Sequence, residues 1–169
     1  MTGMMFPAAV ARVLIVMSML TGMSLAPVIP EPMPEAMTAQ AVLEPAEDMV
    51  EQLAIVIYQE AGGDACSDKC RMYVGDVVLN RMASDRFPNT LEEVLMQKHQ
   101  YGTLWKTGIV WPSRASNPGE ANTVERAYEI SRKLLSGEHS EIYGEGYVWQ
   151  AEFTQGAEGF WCDGMYFGK

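Results

Sequence analysis

Glu60 closes an apolar run, Leu53-Ala54-Ile55-Val56-Ile57-Tyr58-Gln59-Glu60-Ala61-Gly62. A carboxylic acid at the end of a helix that buries most of its length, facing a cleft, is partly withdrawn from water. Desolvation disfavours its charged form, so its pKa rises and it can deliver a proton near neutral pH. Glycosidic-bond cleavage needs such an acid. An exposed glutamate is the commoner occupant of a helix position, so the rest of the chain must decide. Most glycosidase routes also need a second carboxylate. Asp64 follows Gly62-Gly63 and reads as a solvated loop residue, while Asp76 reads as a helix-surface acid. Glu152 and Asp163 are more distant acids that folding could bring near. A transglycosylase route can manage with one acid, because a hydroxyl of the sugar itself, not water, can close on the anomeric carbon.

Aromatic residues crowd the second half of the chain, among them Tyr101, Tyr147 and Trp149. Sugar rings stack their C–H faces on such rings, although core packing is the commoner use of any one aromatic. Polar residues inside the aromatic segments need partners. Gln100, Tyr101, Tyr147, Trp149, Gln150, Glu152 and Gln155 are therefore the candidates for substrate contact. Other chemistries find little support. His99 and His139 are the two histidines and lie far apart, and neither an HExxH motif nor a Cys/His set for tetrahedral zinc is present. No metal or cofactor is expected. Cys66, Cys70 and Cys162 are the three cysteines; a Cys66–Cys70 disulfide is the favoured pairing, one of them reaching Cys162 is the alternative, and an odd thiol is left either way.

The elements that must position these groups lie after residue 44. Arg12 is the first basic side chain and no other precedes Lys69. The 14 residues Val13 to Ala26 that follow it fit an export signal, being shorter than the ~20 residues that span a bilayer. Residues 1–26 read as a signal peptide or, alternatively, a membrane anchor. Pro27, Pro30, Pro32 and Pro34 make residues 27–44 a linker. Residues 45–169 then form the folded unit, of a size to hold one core. The formal net charge of −10 leaves no basic stripe for nucleic acid and no pull towards an anionic membrane surface.

Within that unit helices dominate. Pro45, with Glu47 and Asp48 behind it, starts one helix that Gly62-Gly63 ends. Ser67 caps a second, running to about Met82. Thr90 and Glu93 form a capping pair for a short third, Leu91 to about Gln97. Asn117-Pro118-Gly119-Glu120 opens a fourth that Gly137 stops. Gln97 to Ser116 reads as a long surface loop able to wall a cleft. Tyr147 to Phe153 is rich in strand formers, and either Phe160–Cys162 or Met165–Phe167 can return as a second strand. The expectation is an α+β domain, mostly helical with a small C-terminal antiparallel piece.

Five segments, in order, carry a resemblance: Ile57-Tyr58-Gln59-Glu60-Ala61, Val74-Gly75-Asp76-Val77-Val78-Leu79-Asn80-Arg81, Arg86-Phe87-Pro88-Asn89-Thr90, Gln100-Tyr101, and Asp163-Gly164-Met165-Tyr166-Phe167. Together they resemble the spore cortex-lytic and cell-wall hydrolase family (SleB/CwlJ type), and Trp149 to Phe153 with Gln155-Gly156 is similar to a subgroup of it. The resemblance implies a lysozyme-like fold and cleavage of peptidoglycan glycan strands between N-acetylmuramic acid and N-acetylglucosamine, by a lytic transglycosylase or muramidase. It places the catalytic glutamate on Glu60. It implies peptidoglycan as partner and an exported, wall-associated location, with membrane attachment through residues 13–26 if the signal is not cleaved. An N-acetylmuramoyl-L-alanine amidase, or a non-catalytic cell-wall binding module, are the alternatives.

Overall fold

The computed structural model describes residues 45–169. The expected signal or anchor and the proline-rich linker lie outside the described residues. The described unit is helix-rich with one small sheet, so the α+β expectation holds. No described helix is long and apolar enough to cross a membrane.

Helix α1 spans Glu47–Ala61. Its first turn carries Glu47 and Asp48, which suit the positive end of the helix dipole. The Ala46 carbonyl accepts from Met49 N and Val50 N, so the helix begins after Pro45 rather than on it. From Leu53 to Tyr58 every residue is buried. Such a helix has no solvent face along that stretch and must be enclosed by others. It stops at Gly62, where a Cβ would stand 2.2 Å from the Tyr58 carbonyl oxygen. Only glycine fits that approach.

Helix α2, Asp68–Met82, is capped by Ser67, whose Oγ accepts from Cys70 N at 3.2 Å. Helix α3 is shorter than expected, Leu91–Leu95, again capped by its predicted residue, Thr90. The stretch from Gln97 to Ser116 is not a bare surface loop. It holds a one-turn helix α4, Leu104–Thr107, and a 3-10 turn at Ser113–Ser116, and it buries Tyr101 and Leu104 completely. A second 3-10 turn, Pro118–Glu120, leads into α5, Ala121–Leu135. Asn117 makes no side-chain capping bond there, and the Glu120 carboxylate is instead taken by the Tyr58 hydroxyl at 2.9 Å.

Helices α1, α2 and α5 enclose the core. Ser131 Oγ of α5 donates to the Val50 carbonyl of α1 at 2.7 Å, a buried bond that only a small hydroxyl residue can make at such range. Gly75 of α2 leaves room for Leu134 of α5; a Cβ there would meet Leu134 Cδ1 at 2.2 Å.

The sheet has three antiparallel strands: β1 Trp149–Ala151, β2 Gly159–Cys162 and β3 Met165–Gly168. Both segments expected as alternatives form strands, and the last, β3, is central in the order β1-β3-β2. Gln150 pairs with Phe167, and Phe160 pairs with Phe167 from the other side. Asp163 and Gly164 make the two-residue β2–β3 turn at φ 48° and 83°. Asp-Gly is the sequence best suited to a turn with two left-handed positions. Phe167 is buried and joins Tyr73 of α2 at a ring separation of 5.2 Å, which seats the sheet on the helices.

Candidate active site

Glu60 occupies the last turn of α1 and is half-buried. It lines a cavity of about 330 Å3 with Gln59, Cys66, Gln150, Ala151, Glu152, Asp163, Gly164 and Met165. Helix α1 thus supplies one wall, β1 and its continuation a second, and the β2–β3 turn a third. The Glu60 pKa is raised, first by burial and further by the negative charge of Glu152. The Gln150 amide and the Arg81 guanidinium oppose the rise but do not cancel it. The acid is therefore biased towards its protonated form while still reaching the cavity.

Arg81 is the main polar support on the protein side. It is 2 % exposed, on the last turn of α2. Its Nε donates to the Val148 carbonyl at 2.7 Å. The guanidinium carbon lies 5.3, 5.1 and 5.7 Å from the ring centres of Phe87, Tyr101 and Trp149. An aromatic cage of this kind holds a cation by the ring quadrupoles while excluding water. Tyr101 is wholly buried between Arg81 and Glu60 in electrostatic terms; burial, the dominant cause, pushes its hydroxyl up to about 12, the nearby Arg81 charge opposing and Glu60 adding. Arg81 Nη1, the Tyr101 hydroxyl and both amide atoms of Gln150 make no well-formed hydrogen bond among the described residues, although the Gln150 amide lies near enough to Glu60, and Arg81 to Tyr101, to favour the ionised forms. Buried polar atoms without partners are rare in native proteins and collect at functional sites.

The expected site residues divide. Glu60, Gln150 and Glu152 meet at one cavity. Tyr101 and Trp149 stand behind it as part of the Arg81 cage. Tyr147 lines a different cavity, with Tyr73, Glu141 and Phe160. Gln100 is exposed, Gln155 is half-buried, and neither reaches the Glu60 cavity wall. Asp64 is exposed, in keeping with a solvated loop residue. Asp76 is a correction. It is fully buried, not on a helix surface, and accepts from Ser140 N at 2.8 Å, from Ser140 Oγ at 2.5 Å, and pairs with His139 Nδ1 at 2.8 Å.

Cys66 and Cys70 are not joined: all three cysteines are free thiols. Cys66 lines the Glu60 cavity, whereas Cys70 points at the sheet, its thiol donating to the Cys162 carbonyl at 3.6 Å. Among the described residues, Cys70, Cys162 and Asp163 bring possible metal-ligand atoms within 4.8 Å of one another. Asp163, set at the turn, accepts from both Ser67 N (2.8 Å) and Ser67 Oγ (2.6 Å), and these bonds hold its carboxyl below the usual range. They also tie the start of α2 to the cavity wall.

Arg81 and Asp163 are visible in the sequence, one closing the Val74–Arg81 segment and one as a distant acid, but neither carries a site assignment there. Their residue types in Asn80-Arg81 and Asp163-Gly164 are the available signals, a charge on an apolar face and a turn dipeptide.

A model of the cell wall hydrolase family matches residues 67–163, more than half of the chain. The chain belongs to the cell wall hydrolase family. Arg81, Tyr101, Gln150, Glu152 and Asp163 lie within the matched span, and Glu60 lies just before it. No curated protein and no solved structure matches the chain. As a cell wall hydrolase this is an enzyme that acts on the cell wall, with peptidoglycan as its substrate.

Proposed function

We propose that this cell wall hydrolase cuts the glycan strand between N-acetylmuramic acid and N-acetylglucosamine, with Glu60 as general acid and then base. The observation that carries the reading is a carboxyl with a raised pKa, in the wall of a cavity, beside a Gln150 amide that makes no well-formed hydrogen bond. Protonated Glu60 gives its proton to the glycosidic oxygen as the bond to the anomeric carbon breaks. The resulting carboxylate then takes the proton of the muramoyl 6-hydroxyl, which closes on that carbon to leave an anhydro end. Arg81 and the Gln150 amide stabilise the carboxylate while it carries charge, which keeps the acid able to cycle. Such proton transfer is worth roughly 10²–10⁴ in rate.

A hydrolytic outcome has one observation in its favour: Glu152 shares the cavity and could activate a water or stabilise the sugar cation. Residues 45–169 are on this reading the catalytic unit, carried outside the membrane by residues 1–26 through the proline-rich linker, since the substrate is there. Digestion of purified sacculi and mass spectrometry of the products tests all of it. Anhydro-muramoyl ends are expected. Reducing muramic ends would move the assignment to hydrolysis, released peptides would move it to an amidase, and unchanged turnover in Glu60→Gln would overturn the role of Glu60.

A further inference from the structure

We propose that Cys70 and Cys162 are the two halves of a disulfide that fastens the β2–β3 hairpin to the first turn of α2, a modification whose oxidising setting rests on the export reading above. The two residues are 92 positions apart in the chain, yet their Sγ atoms lie within 4.8 Å. The Cys70 thiol also stands 3.6 Å from the Cys162 carbonyl oxygen, so it already faces the backbone of its partner. A disulfide needs sulfurs about 2.05 Å apart and Cβ atoms about 3.8 Å apart. Side-chain rotation at the half-buried Cys162 is the movement available to close the gap. The two residues are held in place by a separate tie alongside, the double hydrogen bond from Ser67 to Asp163.

Cys66 is the poorer partner. Its carbonyl is held by the buried Arg71 at 2.6 Å, and Ser67, between the two cysteines, already caps Cys70 N. A bond from Cys66 to Cys70 would have to disturb that cap. A metal held by Cys70, Cys162 and Asp163 is also the poorer reading. Oδ2 of Asp163 already accepts two hydrogen bonds from Ser67, and three ligand atoms leave a closed tetrahedral site one short.

Formation goes by exchange with a disulfide carrier. The thiolate of one cysteine attacks the carrier disulfide and expels one carrier thiolate. The second cysteine then displaces the other carrier thiolate from the mixed disulfide. The two thiol protons and two electrons end on the carrier as two thiols. The product pins the turn that brings Asp163, Gly164 and Met165 to the Glu60 cavity.

The test is to incubate the full chain with glutathione disulfide, alkylate the remaining thiols, digest, and map the peptides by mass. A Cys70–Cys162 peptide pair with alkylated Cys66 is expected, and the same link should persist in Cys66→Ser. The oxidised protein should melt at least roughly 5 °C above the reduced one, because the bond closes a long loop. A Cys66-containing crosslink, three alkylated cysteines, or a stoichiometric zinc ion guarding the thiols would each overturn the proposal. The mapping needs neither substrate nor export, so its failure is separate from any failure of the glycan-cleavage reading.

Discussion

Asp76 and Glu60 lie on neighbouring helices, and their surroundings are opposites. Asp76, wholly enclosed, has its oxygens occupied by Ser140 and His139. Glu60, half-buried, has an uncommitted amide on one side, a caged cation on the other, and an open cavity in front. A buried acid with both oxygens hydrogen-bonded is a structural fastening, here between α2 and the segment after α5. An acid left short of partners holds its charge badly, and that is a property catalysis can use. Burial therefore does not distinguish the two roles, whereas hydrogen-bond satisfaction does.

The contrast is broken most directly at Glu60. Glu60→Gln should lower sacculus-cleaving activity by about 10²–10⁴ while the circular dichroism spectrum and cooperative melting remain. Asp76→Ala should do the reverse. It strands Ser140 N and the His139 ring, costs on the order of 3 kcal/mol by denaturant titration, and leaves activity per folded molecule within a few-fold.

Two pH experiments sharpen it. With Glu60 as the acid, kcat/KM should fall on the alkaline side as pH passes its raised pKa. Gln150 favours the ionised carboxyl, so Gln150→Ala should move that limb to higher pH, with a smaller loss of rate than at Glu60. For stability, a carboxyl whose folded pKa is raised binds its proton more tightly when folded. Its contribution is present below the ordinary carboxylate pKa and is lost as pH rises through the folded value. The melting temperature of Glu60→Gln should therefore gain on the wild type as pH is raised over that interval. The smallest effect is expected at Asp64, exposed beyond α1, where Asp64→Asn should change stability by less than about 0.5 kcal/mol and activity little.

Much of the helical framework was legible because its signals are local. Ser67 and Thr90 cap where expected, Gly62 ends α1, and the apolar run before Glu60 is buried throughout. Glu60 itself was legible because an acid at the end of such a run has little choice but to be half-buried. What stayed hidden depends on pairing over distance. Asp76 meets Ser140 across 64 positions, and nothing in the helical period of α2 marks it as enclosed. Gln97 to Ser116 looked polar and irregular, yet Tyr101 is drawn inside by the Arg81 cage. Gln100, its neighbour, stays in solvent, because adjacent residues of a turn face different ways. The Asp163-Gly164 dipeptide is a local signal for a tight turn, and a tight turn there makes strands of both flanking segments rather than of one.

The middle strand of the sheet follows both of its neighbours in the chain. Neither β1 nor β2 has a hydrogen-bonding partner until residues 165–168 have been synthesised, because each pairs with β3 alone. The side of the cleft that carries Gln150 is thus set last, after every helix is available to dock. A growing chain carries Glu60 from early on but lacks the strand wall opposite it, so the cavity around that side chain is completed only when residues 165–168 have formed the middle strand.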